Sequence, residues 1–127
     1  MIAIVDDDES VCRAIGRLVR SLGMDADTFT SGQAFIDLFE AMPSFQADCV
    51  ILDVQMPGLN GLQVQERLMH SGRPVPIIFI TAHDEAGARA QALAGGAVAF
   101  LRKPFTDELL IRTLREAIRR GVSQQQG

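Results

Sequence analysis

Tryptophan and tyrosine are absent from this chain, its aromatic content is seven phenylalanines, and it has only two cysteines. Cys12 falls in a predicted helix and Cys49 in a predicted strand. Both read as small buried hydrophobes, which gives no basis for a disulfide framework, a thiolate metal site or redox chemistry. Basic residues are the minority, 12 against 16 acidic, for a net charge of −4. That balance argues against a nucleic-acid surface in these residues, because phosphate backbones need a clustered positive face. No run approaches the roughly 18 apolar residues of a membrane span, and no basic stretch leading into an apolar segment opens the chain. The expectation is a soluble cytoplasmic protein that does not engage a membrane. A nucleotide-cradling glycine loop is missing too, so any phosphate chemistry has to draw on a partner protein or a small phosphodonor.

What the sequence does have is enough apolar residue, 47% of 127, for one substantial core in one domain. Ile2 to Val5 is an all-apolar run followed at once by Asp6-Asp7-Asp8-Glu9, as expected of a strand buried on both faces. Val11, Ile15, Leu18 and Leu22 then form a helical stripe, with Asp8 as its N-cap and Gly23 as its stop. Asp25 to Phe29 reads as a second strand. Ser31 caps a helix that turns Phe35, Leu38, Phe39 and Met42 inward until Pro43 ends it.

Cys49 to Asp53 is the third strand, and a helix runs from about Gly61 to His70 after the turn at Met56-Pro57-Gly58. Ile77 to Thr81 is again apolar on both faces. Glu85 to Ala94 is rich in alanine, with Leu93 as its one large apolar anchor, which predicts a loosely held helix. Val98 to Leu101 is a fifth strand. Thr106 starts the last helix, whose Leu110, Ile111, Leu114 and Ile118 pack inward. Residues 121–127 are polar and glutamine-rich and read as a linker or frayed end beyond a domain of residues 1–120. Five strands alternating with five helices call for an α/β doubly wound parallel sheet of flavodoxin-like order 2-1-3-4-5.

In that order the ligand crevice lies between the ends of the first and third strands. Asp6 and Asp7 end one and Asp53 ends the other. Asp6 to Glu9 could serve only as helix caps, but one cap needs one carboxylate. Three that converge repel each other unless a cation neutralises them, and a hard divalent ion such as Mg2+ suits oxygen ligands. Thr81 and Lys103, at the ends of the fourth and fifth strands, bring a hydroxyl and an ammonium to the same mouth. Together these groups suit a phosphate held beside a nucleophilic carboxylate.

Asp6-Asp7, Asp53 with Met56-Pro57 and Gly61, Thr81-Ala82 and Phe100-Leu101-Arg102-Lys103-Pro104 resemble the receiver domain of bacterial two-component response regulators. The stretches from Asp53 to Gly61 and from Pro76 to His83 resemble its FixJ-like subfamily, and the likeness covers about residues 1 to 120. The resemblance implies a CheY-like fold. It implies that Asp53 is the phosphoacceptor for a sensor histidine kinase, with Mg2+ on Asp6, Asp7, Asp53 and the backbone carbonyl of Gln55. Lys103 and Thr81 would bind the phosphoryl oxygens, Thr81 and Phe100 would form the switch, and Pro104 would follow a cis peptide bond. Read as a residue alone, Phe100 is equally a core aromatic of its strand. The chain would be a signalling phosphoacceptor rather than an enzyme. It would control a transcription-regulatory output, touching DNA only through a domain outside these residues, or act as a stand-alone receiver through protein contacts. A phosphorylation-dependent homodimer through the fourth helix, fifth strand and fifth helix is a further expectation. Phe100 and Ala99 depart from the Tyr and acidic residue common in relatives. A phosphatase of aspartyl-phosphate type would need an acid where Gln55 stands.

Overall fold

The computed structural model describes residues 1–83 and 87–126, with 122–126 as helical backbone only. Its elements follow the alternating order, β1 (Ile2–Val5), α1 (Glu9–Ser21), β2 (Ala26–Phe29), α2 (Gly32–Ala41), β3 (Cys49–Asp53), α3 (Gly61–His70), β4 (Ile77–Thr81), α4 (Ala88–Ala94), β5 (Ala99–Arg102) and α5 (Asp107–Gln126). The strands form one parallel sheet in the order β2-β1-β3-β4-β5.

Why β1, β3 and β4 are apolar at every position but the last of β3 and β4 follows from the two faces of that sheet. Successive strand residues point to opposite sides, and here both sides are covered by helices. Ala3, Val5, Val50, Leu52 and Phe79 face one core with Phe35 and Phe39 of α2, Val64 of α3 and Ala92 of α4. Ile2, Ile4, Ile51, Ile78 and Ile80 face the other, with Ile15 and Val19 of α1 and Leu110 and Leu114 of α5. The helix starts are set by local hydrogen bonds. Asp8 accepts the N–H groups of Ser10 and Val11, Ser31 that of Ala34, and Asn60 and Gln63 close a reciprocal capping box on α3. No helix among the described residues is long and apolar enough to cross a membrane.

Four sequence expectations fail locally. Met42 is exposed rather than inward, because α2 ends at Ala41 and Pro43 forces the residue before it into extended backbone, turning it off the helix face. The carbonyls at that end are gathered instead by Arg73. Its guanidinium donates to the carbonyls of Phe39, Met42, Pro43 and Phe45 and stacks 3.7 Å from the Phe39 ring centroid.

Leu93 does not anchor α4; it is 42% exposed. The predicted start at Glu85 lies outside the described residues. The buried contacts are Ala88 and Ala92, small because α4 lies close against α3. There the Gln65 amide donates to the Ala92 carbonyl at 2.9 Å, and a Cβ on Gly95 would fall 2.7 Å from that amide. Ile111 is half-buried beside the α5 stripe of Leu110, Thr113, Leu114 and Ala117, since an inward helical row repeats at three and four residues. Finally, α5 continues to Gln126 where a linker was expected, because Gly121 is followed by no proline to break it.

One glycine is fixed by close approach. Gly61 opens α3 with its N–H on the Val54 carbonyl at 2.9 Å, and a Cβ there would lie 2.3 Å from the Asp53 carbonyl oxygen. Gly61→Ala is therefore expected to lower stability by about 2 kcal/mol, whereas Leu93→Ala stays within about 0.5 kcal/mol. Urea unfolding of the two variants checks this, and equal effects would contradict it.

Candidate functional site

The register of the sheet assembles the site. Val5 lies opposite Leu52 and Asp53 opposite Ile80. The residue after Val5 is therefore brought beside Asp53, and Thr81 ends the next strand over. Asp6 is fully buried, Asp53 is 5% exposed and Asp7 is exposed. Oxygens of these three carboxylates lie within 4.8 Å of one another. They are the residues expected from the sequence, and their convergence fits a hard divalent cation, which takes oxygen ligands and offsets charge that one ammonium leaves unbalanced.

That ammonium belongs to Lys103. It donates to Asp6 Oδ2 at 2.7 Å and stands 3.8 Å from Asp53 Oδ2. Its backbone N–H bonds the Thr81 carbonyl at 2.7 Å, and the Lys103–Pro104 bond is cis. The opposite ends of Asp6 are tied down too, by the Asp8 N–H on its Oδ1 and by the Cys12 thiol on its carbonyl. Burial, then the charge of Asp6, raises the Cys12 thiol pKa, so this sulfur is a hydrogen-bonding group and not a nucleophile.

Asp53 is pushed up to about 7. Burial is the largest cause and the Asp6 carboxylate the next, with Asp7 adding a smaller push. Lys103 and the Gln55 N–H, 3.4 Å from Asp53 Oδ1, pull the other way. The exposed Asp8 is held below the usual carboxylate range by the Ser10 hydroxyl and N–H, as befits a cap.

Thr81 reaches the mouth, but its hydroxyl is turned onto its own loop. It donates to the His83 carbonyl at 2.7 Å and accepts the His83 N–H at 3.2 Å. Phe100 is buried, its ring tilted against Phe79 at 6.2 Å. Arg89 of α4 donates to the Phe100 carbonyl at 3.3 Å and holds its guanidinium 5.9 Å from the ring centroid. His83 is exposed in its loop and His70 lies in the last turn of α3, as the sequence suggests for each. Three residues escaped the sequence reading: Gln65 and Arg89, which hold α4, and Arg73, which gathers the α2 carbonyls away from the site. Gln65 alone left a signal, since it shares the buried row of α3 with Gly61, Val64 and Leu68.

With Asp53 raised above the ordinary 3.8, the folded chain binds a proton there more tightly than the unfolded chain. Its contribution is most favourable below about pH 4, is lost as pH rises, and is at its worst above about 7. Without divalent metal, Asp53→Asn should therefore be the more stable protein at pH 8, by about 2 kcal/mol, with the gap closing at pH 4. Urea unfolding at the two pH values tests this, and a gap independent of pH contradicts it.

The profile of the family described as "Response regulator receiver domain" matches residues 2–115. The response regulator protein TmoT of Ectopseudomonas mendocina is 38% identical over 126 residues, which cover 99% of this chain and 56% of that protein. The transcriptional regulatory protein FixJ of Bradyrhizobium diazoefficiens is 36% identical over 120 residues, 94% of this chain and 57% of that one. The chain thus spans little more than half the length of these curated relatives. A crystal structure of a response regulator receiver protein from Burkholderia phymatum is 61% identical, with a TM-score of 0.81, over 92% of this chain and 93% of that one.

Proposed function

This chain belongs to the response regulator receiver domain family of two-component systems, and on that premise we propose that Asp53 accepts a phosphoryl group from a sensor histidine kinase. The observation that carries the reading is the placement of Asp53, buried at the sheet's lip between two further carboxylates with the Lys103 ammonium 3.8 Å away.

In the proposed reaction a carboxylate oxygen of Asp53 attacks phosphorus in line with the phosphorus–nitrogen bond of a phosphohistidine. That bond breaks, its electron pair stays on the imidazole nitrogen, and an acyl phosphate forms. Mg2+, held by Asp6, Asp7, Asp53 and the backbone carbonyl of Gln55, would neutralise charge on the transferred oxygens. Lys103 supplies a second positive charge on the opposite flank, for which its ammonium swings from Asp6 toward the phosphoryl group. Attack by water on the acyl phosphate restores Asp53, so the chain assists only its own modification and its reversal and is not an enzyme acting on other molecules.

The phosphate adds about 1.5 to 2 negative charges at the mouth. For Thr81 to donate to a phosphoryl oxygen, its hydroxyl must leave the His83 carbonyl. Phe100 would then move into the space that Thr81 vacates, and since Arg89 ties the Phe100 backbone to α4, helix and strand shift together. The face formed by α4, β5 and α5 would carry the readout, with dimerisation of the phosphorylated form as its proposed use. The relatives TmoT and FixJ are named as regulators; the corresponding output here would be a DNA-binding domain outside these residues.

Intact-mass measurement after incubation with acetyl phosphate and Mg2+ tests the central step. The parent should gain one phosphate, labile to hydroxylamine and absent without the metal, and Asp53→Ala should gain none. Lys103→Ala should modify at least about tenfold more slowly. A parent left unmodified by acetyl phosphate and by its kinase alike would overturn the reading.

A further inference from the structure

At the pole opposite Asp53, a cavity of about 870 Å³ opens under the amino ends of β4 and β5, between the carboxyl ends of α3 and α4 and the last described turns of α5. Ile77, which begins β4, lines it, whereas Asp53 and Thr81 end their strands. The two sites are separated by about 15 Å, the length of a five-residue strand. Nothing in the phosphoacceptor chemistry uses this cavity.

Its walls are apolar and its rim is basic. Three large hydrophobic residues are exposed among the described residues, and two of them, Met69 at 60% and Leu93 at 42%, border this one cavity. Pro74 and Pro76 stiffen one wall, and the Pro76 carbonyl is pinned by the Val50 N–H at 2.9 Å. Arg73, Arg119 and Arg120 also line it, and no acidic residue does among those described. Arg119 and Arg120 share the single carboxylate of Glu116, while the partners of Arg73 are neutral carbonyls and the Phe39 ring. With the Arg73 guanidinium committed to the α2 carbonyls, Arg119 and Arg120 against one carboxylate leave a local excess of one positive charge, on a chain whose net charge is −4.

We propose that this groove docks an acidic amphipathic helix of another protein, its apolar row seated against Met69 and Leu93 and its carboxylates facing Arg119 and Arg120. The preformed, proline-stiffened wall needs little ordering on binding, and apolar anchors at helical spacing fit a groove of this kind. A symmetric pair of copies is disfavoured, since it would set one arginine rim against another. None of the groove's lining residues belongs to the phosphoacceptor mouth.

The test is fluorescence anisotropy of the whole chain with two labelled helical peptides, one with a leucine row and glutamates elsewhere, the other with lysines in place of the glutamates. The leucine–glutamate peptide should bind saturably and more weakly as salt is raised, and the leucine–lysine peptide should not bind. Met69→Ser with Leu93→Ser, both exposed and so compatible with folding, should lower affinity about tenfold or more. Arg119→Glu with Arg120→Glu should weaken the acidic peptide and admit the basic one. Absence of saturable binding, equal binding of both peptides, or indifference to the serine pair overturns the proposal. So does self-association, or binding to anionic lipid vesicles, that the same variants abolish, since either assigns the groove to a different occupant.

Discussion

The mutual repulsion of buried carboxylates is the constraint on which the rest of this structure depends. Asp6 and Asp53 are both withdrawn from water at the end of a sheet whose interior strands carry no other charge. Desolvation and like charge together raise Asp53 to about 7, and a single ammonium, Lys103, reaches across from the far strand to hold the pair. An arrangement of this kind is costly for folding alone. It suits a site that takes a cation beside a phosphate, because each then finds its complement already oriented.

The hydrogen bonds around the site hold these groups in place without filling the space between them. Asp6 is fixed by the Asp8 N–H, and Asp53 by the strand that carries it and by the turn that Gly61 closes from behind. Thr81 is satisfied by His83, a local partner it can exchange for an incoming oxygen at little cost. Two polar links hold α4, the Gln65 amide of α3 on the Ala92 carbonyl and its own Arg89 on the Phe100 carbonyl of β5. A short helix with alanines for its buried contacts is thus positioned by directional bonds more than by apolar mass. Small changes at the mouth therefore have a physical route to the surface.

The two poles of the sheet divide the chemistry of the chain. The carboxyl ends of the strands gather acidic groups that suit a cation and a phosphoryl group. The amino ends of β4 and β5 carry an arginine-rimmed apolar groove that suits an acidic partner.

How much of this was legible beforehand depended on whether neighbours in space were also neighbours in pattern. The strand order, the caps at Asp8 and Ser31, the span of α3 and the convergence of Asp6, Asp7, Asp53, Thr81 and Lys103 on one mouth follow from apolar runs, turn residues and the one topology that alternating strands and helices permit. Local chemistry and period determine them, and both are written along the chain. The exposure of Met42 and Leu93, the capture of the α2 carbonyls by Arg73, the burial of Gln65, and the pairing of Lys103 with Asp6 ahead of Asp53 were decided by tertiary structure. Each depends on how closely two elements distant in sequence approach, and hydrophobic periodicity carries no measure of that distance.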